Sequence, residues 1–264
     1  MYLAKVTLRY DSEESDLAYD RLRANLLRVY HQGFCLEPVC STFLQEDSVY
    51  SHVILPERST IHRIMASEIL QKFMASEILP ESECNTLPVK FELLEHAVGM
   101  PELCDCTLVK LFILDSSDPI PLSCGSCGGA IPLYRIPPTY VEDPSFYDLD
   151  CWRKESDLWA DLEFYSFAFS SLAQKELVDL DSKLNRKGRR IAKRVEDVTE
   201  FPCYYFLRDL RDVDELKREP SGACPGCGRD WLLDVPFLEY YDYRCDQCRL
   251  LGRLPADLRR RDRT

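Results

Sequence analysis

No GxSxG, HExxH, P-loop or dinucleotide-binding fingerprint occurs in the 264 residues of this chain. Its commonest routes to acyl transfer, zinc proteolysis, nucleotide hydrolysis and hydride transfer are therefore excluded. Histidine is scarce. The four residues His31, His52, His62 and His96 all fall in the first hundred positions, without an evident partner, so each reads as a surface or core imidazole. Long apolar runs are also missing: no stretch approaches the roughly 20 residues a membrane span needs. The opening MYLAKVTLRYD alternates like a strand and lacks the apolar run of a secretory leader. A non-enzymatic, cytoplasmic protein is expected, with no membrane partner and no small-molecule substrate in evidence.

Positive charge is the other deficit. With 33 Lys+Arg against 45 Asp+Glu the net charge is −12, which opposes indiscriminate duplex binding through phosphate neutralisation. The acidity is uneven. Residues 1–120 carry 10 basic and 19 acidic side chains, whereas residues 201–264 carry 12 of each. An anionic partner is expected to avoid the first part and meet the second.

Cysteine, by contrast, is abundant. Thirteen cysteines, an odd number, argue for a reducing compartment rather than a disulfide scaffold. Cys224, Cys227, Cys245 and Cys248 form two CxxC pairs, CPGC and CDQC, 17 residues apart. Each pair bends into a knuckle that aims two sulfurs at one point, and the intervening hairpin brings the pairs together. That is the spacing of a tetrahedral zinc ribbon. With four thiolates and no open position, such a zinc is structural. A further CxxC stands at Cys124 and Cys127. It reads first as a metal-free structural turn, ahead of half of a second zinc site and of a redox pair. Cys104 and Cys106 are the nearest residues to complete a zinc site, with Cys151 and Cys203 as further options. A redox pair needs a helix starting at the motif, and GGAIPLYRIPP does not provide one.

Hydrophobic periodicity predicts a strand over Tyr2–Tyr10 and a helix from about Asp16 to His31 with Leu22, Leu26, Val29 and Tyr30 on one stripe. Strands follow near Gly33–Cys40 and Val49–Leu55, a helix over Thr60–Leu79, and strands near Val89–Leu94 and Thr107–Leu114. This β-α-β-β-α-β order is that of a ferredoxin-like domain. The second helix contains MASEIL twice, at Met65 and Met74, which reads as a local duplication. Trp152, Trp159, Leu162, Phe169 and Leu172 recur at helical spacing and read as core. A strand is expected at Cys203–Leu207. Leu232, Phe237 and Tyr243 are expected to pack the ribbon, with Trp231 as a lid.

A helix near Leu184–Val198 divides cleanly. Leu184, Gly188, Ile191, Val195 and Val198 take one side, and Arg186, Lys187, Arg189, Arg190, Lys193 and Arg194 the other. The basic side is the candidate nucleic-acid-binding face, with the arginines after Leu250 second. Tyr204, Tyr205, Tyr240, Tyr241 and Tyr243 are candidate stacking surfaces for unpaired bases. The competing reading is a solvated face paired with the acidic N-terminal domain of the same protein.

MYLAKVTL, CGSCGGAIPLYRIP, GRRIAKRVEDVTEFPCYYFL and CPGCGRDWLLDVPFLEYYDYRCDQCRLLGRL together resemble a bacterial family of zinc-ribbon-containing proteins of unknown function, to which nucleic-acid binding has been attributed. The resemblance covers chiefly the last half of the chain. It implies zinc at Cys224, Cys227, Cys245 and Cys248, a second CxxC at Cys124 and Cys127, and a cytoplasmic home.

The chain is thus expected to be α+β. Residues 1–118 form an acidic ferredoxin-like domain, 119–208 the CxxC knuckle with a helical middle segment, 220–254 a C-terminal zinc ribbon and 255–264 a basic tail. Its expected role is to bind nucleic acid or the machinery that handles it. The alternative is a protein-interaction module, such as an immunity or antitoxin-like protein, whose acidic domain covers a basic toxin or nuclease.

Overall fold

Alternation at the start of the chain puts Ala4, Val6 and Leu8 on one face of strand β1 (Tyr2–Arg9), and all three are buried. The computed structural model describes residues 1–9, 15–36, 41–45, 47–67, 89–96, 101–140, 145–209 and 222–254. The fold is α+β. The chain divides into two units, Met1–Pro101 with Pro132–Tyr147, and Glu102–Ile131 with Asp148–Thr264.

In the first unit β1 is followed by α1 (Ser15–His31), β2 (Ser41–Gln45), β3 (Ser48–Leu55), α2 (Thr60–Ala66) and β4 (Val89–His96). The sheet order is β2-β3-β1-β4 with every neighbouring pair antiparallel. That is the split βαβ arrangement expected of a ferredoxin-like domain. The predicted stripe Leu22, Leu26, Val29 and Tyr30 is buried against Val6, Val49 and Val53, so the apolar face of α1 forms the core. One strand is misplaced by the sequence pattern. Gly33–Leu36 forms a turn out of α1, anchored by Leu36 N–H donating to the Ile54 carbonyl at 3.0 Å; residues 37–40 lie outside the described residues, and β2 is Ser41–Gln45. The expected continuation of α2 to Leu79, with the second MASEIL copy, lies outside the described residues.

The segment Pro132–Tyr147 is pinned to this unit by Glu57. Tyr134 donates its hydroxyl to the carboxylate at 2.6 Å, and the Arg135 guanidinium forks onto it. Burial alone would raise the Glu57 carboxyl, but hydrogen bonds from Tyr134 and Arg135 outweigh it and hold the group below its ordinary value. A depressed carboxyl stabilises the fold fully above the unfolded pKa of about 4.3, and that stability fades as pH falls through the lower folded value. Glu57→Gln is therefore expected to lower the denaturation midpoint at pH 7 and to converge with the parent chain as the pH falls through that lowered folded value. Urea melts across that range check it, and parallel curves would remove Glu57 as the cause.

The second unit is built on a six-stranded mixed sheet, ordered β6-β5-β7-β10-β9-β8. Its strands are β5 (Phe112–Leu114), β6 (Leu122–Cys124), β7 (Cys203–Phe206), β8 (Leu232–Phe237), β9 (Tyr241–Cys245) and β10 (Leu250–Gly252). The predicted strand Thr107–Leu114 thus shortens to Phe112–Leu114 and joins this sheet, where it pairs in parallel with β7. β10 lies parallel to β7 on its other side. The two outer hairpins, β5–β6 and β9–β10, are antiparallel.

Three helices belong to this part of the chain: α3 (Tyr147–Tyr165), α4 (Ser170–Val178) and α5 (Lys183–Thr199). The aromatic stripe expected as core is split by the α3–α4 break. Trp152 is buried, whereas Phe169 and Leu172 are exposed, because the turn at Ser166 resets the helical phase. α5 starts at Ser182, whose hydroxyl accepts from Asn185 N–H at 3.0 Å. Leu184, Gly188, Ile191 and Val195 bury as expected. Asn185 ties the end of α4 to α5 through its amide, which donates to the Leu177 and Asp179 carbonyls, while Tyr205 donates back to its oxygen at 2.7 Å. No helix among the described residues is long and apolar enough to cross a membrane.

Candidate metal centres

Two groups of four cysteines converge, and both lie at the end of the six-stranded sheet where β5, β7 and β10 begin. Cys124 closes β6, and the turn after it carries Cys127. Cys245 closes β9, and the turn into β10 carries Cys248. In each group the four sulfurs lie within 4.8 Å of one another. A tetrahedral thiolate site with Zn–S of 2.3 Å has sulfurs ~3.8 Å apart. The Cys124–Cys106 separation is 3.9 Å and the Cys227–Cys245 separation 3.7 Å.

The two CxxC turns at Cys124 and Cys224 are built alike, as the sequences CGSCGG and CPGCGR suggest. Gly128 N–H donates to the Cys124 carbonyl at 2.8 Å, and Gly228 N–H to the Cys224 carbonyl at 2.8 Å. Both glycines sit at positive φ, 75° and 72°, a conformation a side chain resists. Cys124 N–H then donates to Gly129 O, and Cys224 N–H to Arg229 O. Backbone N–H groups also point at sulfur, from Ser126 to Cys124 and from Gly226 to Cys224, each at 3.4 Å. Such contacts stabilise thiolate and fix its direction.

The remaining pair of each group differs. In the C-terminal group it is the downstream CxxC of Cys245 and Cys248. In the other it is Cys104 and Cys106, one residue apart, brought in by a bridge between Leu103 and Ala130. A Cβ on Gly129 would lie 2.8 Å from the Cys104 backbone, so glycine is what lets that segment approach. The metal-free reading of Cys124 and Cys127 is therefore replaced by a four-sulfur group, which could hold a metal ion. Cys151 and Cys203 belong to neither group, and Cys203 is fully buried at the start of β7. The segment after Cys127 forms a turn and a bridge at Ala130, and the helix a redox pair needs does not follow.

The electrostatics favour a cation. Burial pushes Cys104 and Cys248 up to about 12, while a backbone hydrogen bond from Arg229 lowers Cys227. Sulfurs this close cannot all ionise without a compensating positive charge, and a bound metal provides it.

Around the C-terminal group the small core differs from the expectation. Trp231 is buried and stacked on Tyr243 at 4.9 Å, rather than forming a lid, and Leu232 is half exposed. The pairing of β8 with β9 is irregular between Leu232 and Phe237, so simple alternation does not hold along β8. The candidate stacking tyrosines are mostly core as well: Tyr204, Tyr205, Tyr241 and Tyr243 are buried. Arg253 lies over Tyr240 at 3.8 Å, and Arg244 over Tyr204 at 4.9 Å.

The basic face of α5 is largely neutralised. Lys187 meets Glu155 at 3.2 Å, Arg189 meets Asp181 at 3.4 Å, Lys193 meets Asp197 at 3.0 Å and Arg194 meets Asp148 at 2.6 Å. Arg186 and Arg190 are exposed, one turn apart, and make no ion pair with a described residue.

Residues 106–208 match a family model described as a domain of unknown function (DUF2310), and residues 213–258 match another domain of unknown function (DUF8594). The first match takes in Cys106, Cys124 and Cys127, the second all four C-terminal cysteines. Neither description names a zinc ribbon or a nucleic acid. An uncharacterized protein of Haemophilus influenzae is 30% identical over 135 residues, covering 51% of this chain and 50% of the relative. A second uncharacterized protein of that organism is 29% identical over 135 residues, covering 51% and 64%. The chain thus spans between half and two thirds of the curated relatives it matches. No solved structure matches.

Proposed function

We propose that this chain is a non-enzymatic binding protein of the reducing cytosol whose second unit is scaffolded by two structural zinc ions. The observation that carries this reading is the convergence of eight cysteine sulfurs into two sets, each compact enough for a single tetrahedral ion. Soft thiolate donors in a tetrahedron select zinc over magnesium, calcium or manganese. Four sulfurs fill the coordination sphere, so neither ion offers a position for substrate or an activated water. The metals hold shape, and recognition is left to the surface between and beside them.

For nucleic acid, that surface is modest. With four of the six basic α5 side chains paired inside their own unit, Arg186 and Arg190 are the α5 cations that remain to meet phosphates, while the basic tail 255–264 lies outside the described residues. Two neutralised phosphates give a slope of log K against log salt of about −1.4 on single strands. Elemental analysis of the purified chain is expected to find two zinc ions per chain, and gel shifts with single-stranded RNA and DNA to show weak binding with that shallow slope. One zinc or none, with both knuckles otherwise folded, would overturn the scaffold. Absence of any shift at low salt would end the nucleic-acid role.

The second reading, a module that engages a protein, is favoured by a separate observation: an exposed cluster of aromatic side chains where α3 meets α4.

A further inference from the structure

At the α3–α4 corner the sequence FYSFAF puts four aromatic rings in six residues. Phe164 and Tyr165 are 77% and 76% exposed, Phe167 is fully exposed at 108%, and Phe169 is 54% exposed. Leu158 on α3 and Leu172 on α4 are at least half exposed beside them. With a full aromatic side chain near 200 Å², the four rings alone present roughly 600 Å² of apolar surface. Accidental patches on monomers are generally smaller, and a standard protein interface takes about 800 Å² from each partner.

The corner is held in place by its backbone. Ser166 N–H donates to Leu162 O at 3.2 Å, Ser170 N–H to Ser166 O at 3.0 Å and Ala173 N–H to Phe169 O at 2.9 Å. The Ser166 hydroxyl accepts from Phe169 N–H at 3.3 Å. Phe164 and Tyr165 pack edge to face at 4.8 Å. Ala173 and Leu177 anchor α4 in the core. Rings displayed on an ordered corner lose little conformational freedom on contact.

The rim decides what fits. Asp157 and Asp161 are exposed one turn apart on α3, and Asp161 precedes Phe164 and Tyr165 by the three and four residues that share a helix face. Glu163 adds a third carboxylate, against Lys175 on α4 and against Arg153 and Arg208, which act on Asp157, so Asp161 and Glu163 carry most of the rim's negative field. A second copy docking face to face would press these carboxylates together, which opposes a homodimer through this corner. A partner with apolar side chains flanked by cations meets both features. We propose that the α3–α4 corner docks a basic amphipathic helix of another protein, its apolar stripe on Phe164, Phe167 and Phe169 and its lysines or arginines against Asp157 and Asp161. The proposal rests on reading the chain as a binding protein, and is independent of the metals and of α5.

The test uses the full zinc-loaded chain and a fluorescent synthetic Leu/Lys helix about five turns long, beside a Leu/Glu helix with the same apolar face. Micromolar binding of the Leu/Lys helix alone is expected. Phe167→Ser with Phe169→Ser, both exposed positions, should raise Kd at least about tenfold while zinc content and melting temperature stay put. Asp157→Asn with Asp161→Asn should weaken binding and flatten its salt dependence. Binding unaffected by the phenylalanine pair, equal binding of the Leu/Glu helix, binding of neither helix, or a dimer in sedimentation that the phenylalanine pair abolishes would each overturn the proposal. Any of these with two zinc ions still bound leaves the scaffold reading standing, so the two failures are distinguishable.

Discussion

Serine in place of Cys245 is expected to remove one zinc ion per chain and to unfold β8, β9 and β10. Structural zinc contributes about 10–16 kcal/mol at neutral pH, a contribution that exists only in the folded, loaded state. A typical domain is stable by about 5–15 kcal/mol, so loss of one thiolate from a closed site consumes most or all of that margin. Trp231 stacks on Tyr243 outside the shared core, whereas Tyr241 and Leu251 pack with Ile113 and Tyr204 of the same sheet, so loss of the metal is expected to loosen β8 and β9 first and to reach the shared sheet through β10. Zinc stoichiometry falling from two to one, with proteolytic cleavage moving into residues 222–254, is the expected readout. Cys203→Ser is the control: that thiol is buried but lies outside both sulfur groups, so it should cost stability without releasing metal. Full zinc retention by Cys245→Ser would mean that the C-terminal group does not act as one site.

Trp152→Ala should be the most damaging change away from the cysteines, at about 3–5 kcal/mol. Trp152 is 1% exposed, and its ring lies 5.9 Å from that of Tyr205 on β7. α5 crosses above both rings at Gly188. A Cβ there would fall 2.4 Å from Tyr205 Cε2 and 2.7 Å from Trp152 Nε1, so α5 approaches the sheet only because position 188 has no side chain. Removing the indole leaves a cavity beneath a helix that cannot drop to fill it without carrying its own buried residues out of register. Denaturant midpoints should fall with an unchanged slope. A loss under about 1 kcal/mol would show that the site collapses freely.

The C-terminal cysteine set was legible in the sequence because a closed thiolate centre demands cysteine at knuckle spacing, and few other constraints produce that pattern. β1, β3, β4 and α1 were legible for a related reason: a half-buried strand must alternate, and α1 must repeat every third and fourth residue. Cys104 and Cys106 were only one choice among several. What selects them is the approach of their segment to Gly129, a tertiary contact that leaves no local signature. The six-stranded sheet was hidden for the same reason. Its parallel pairings join Phe112 to Cys203 and Tyr205 to Leu250, and strands of three residues are too short to show a period. The aromatic segment misled because a stripe counted through Ser166 assumes one helix where there are two. The basic face of α5 was seen correctly as a face, but its neutralising carboxylates come from α3, the turn before α5 and α5 itself, which only coordinates reveal.

The parallel placement of β7 between the two hairpins has a temporal side. A ribosome adding about 5–20 residues per second delivers Cys127 on the order of ten seconds before Cys248. On the two-zinc reading, the first sulfur set would close on an ion while the last three strands are still being made. β7 then emerges with one neighbour ready and the other edge bare, its amides open to any passing extended chain. Nascent protein starved of zinc should therefore aggregate through that edge, and timely metal delivery would act as a chaperone for the central strand.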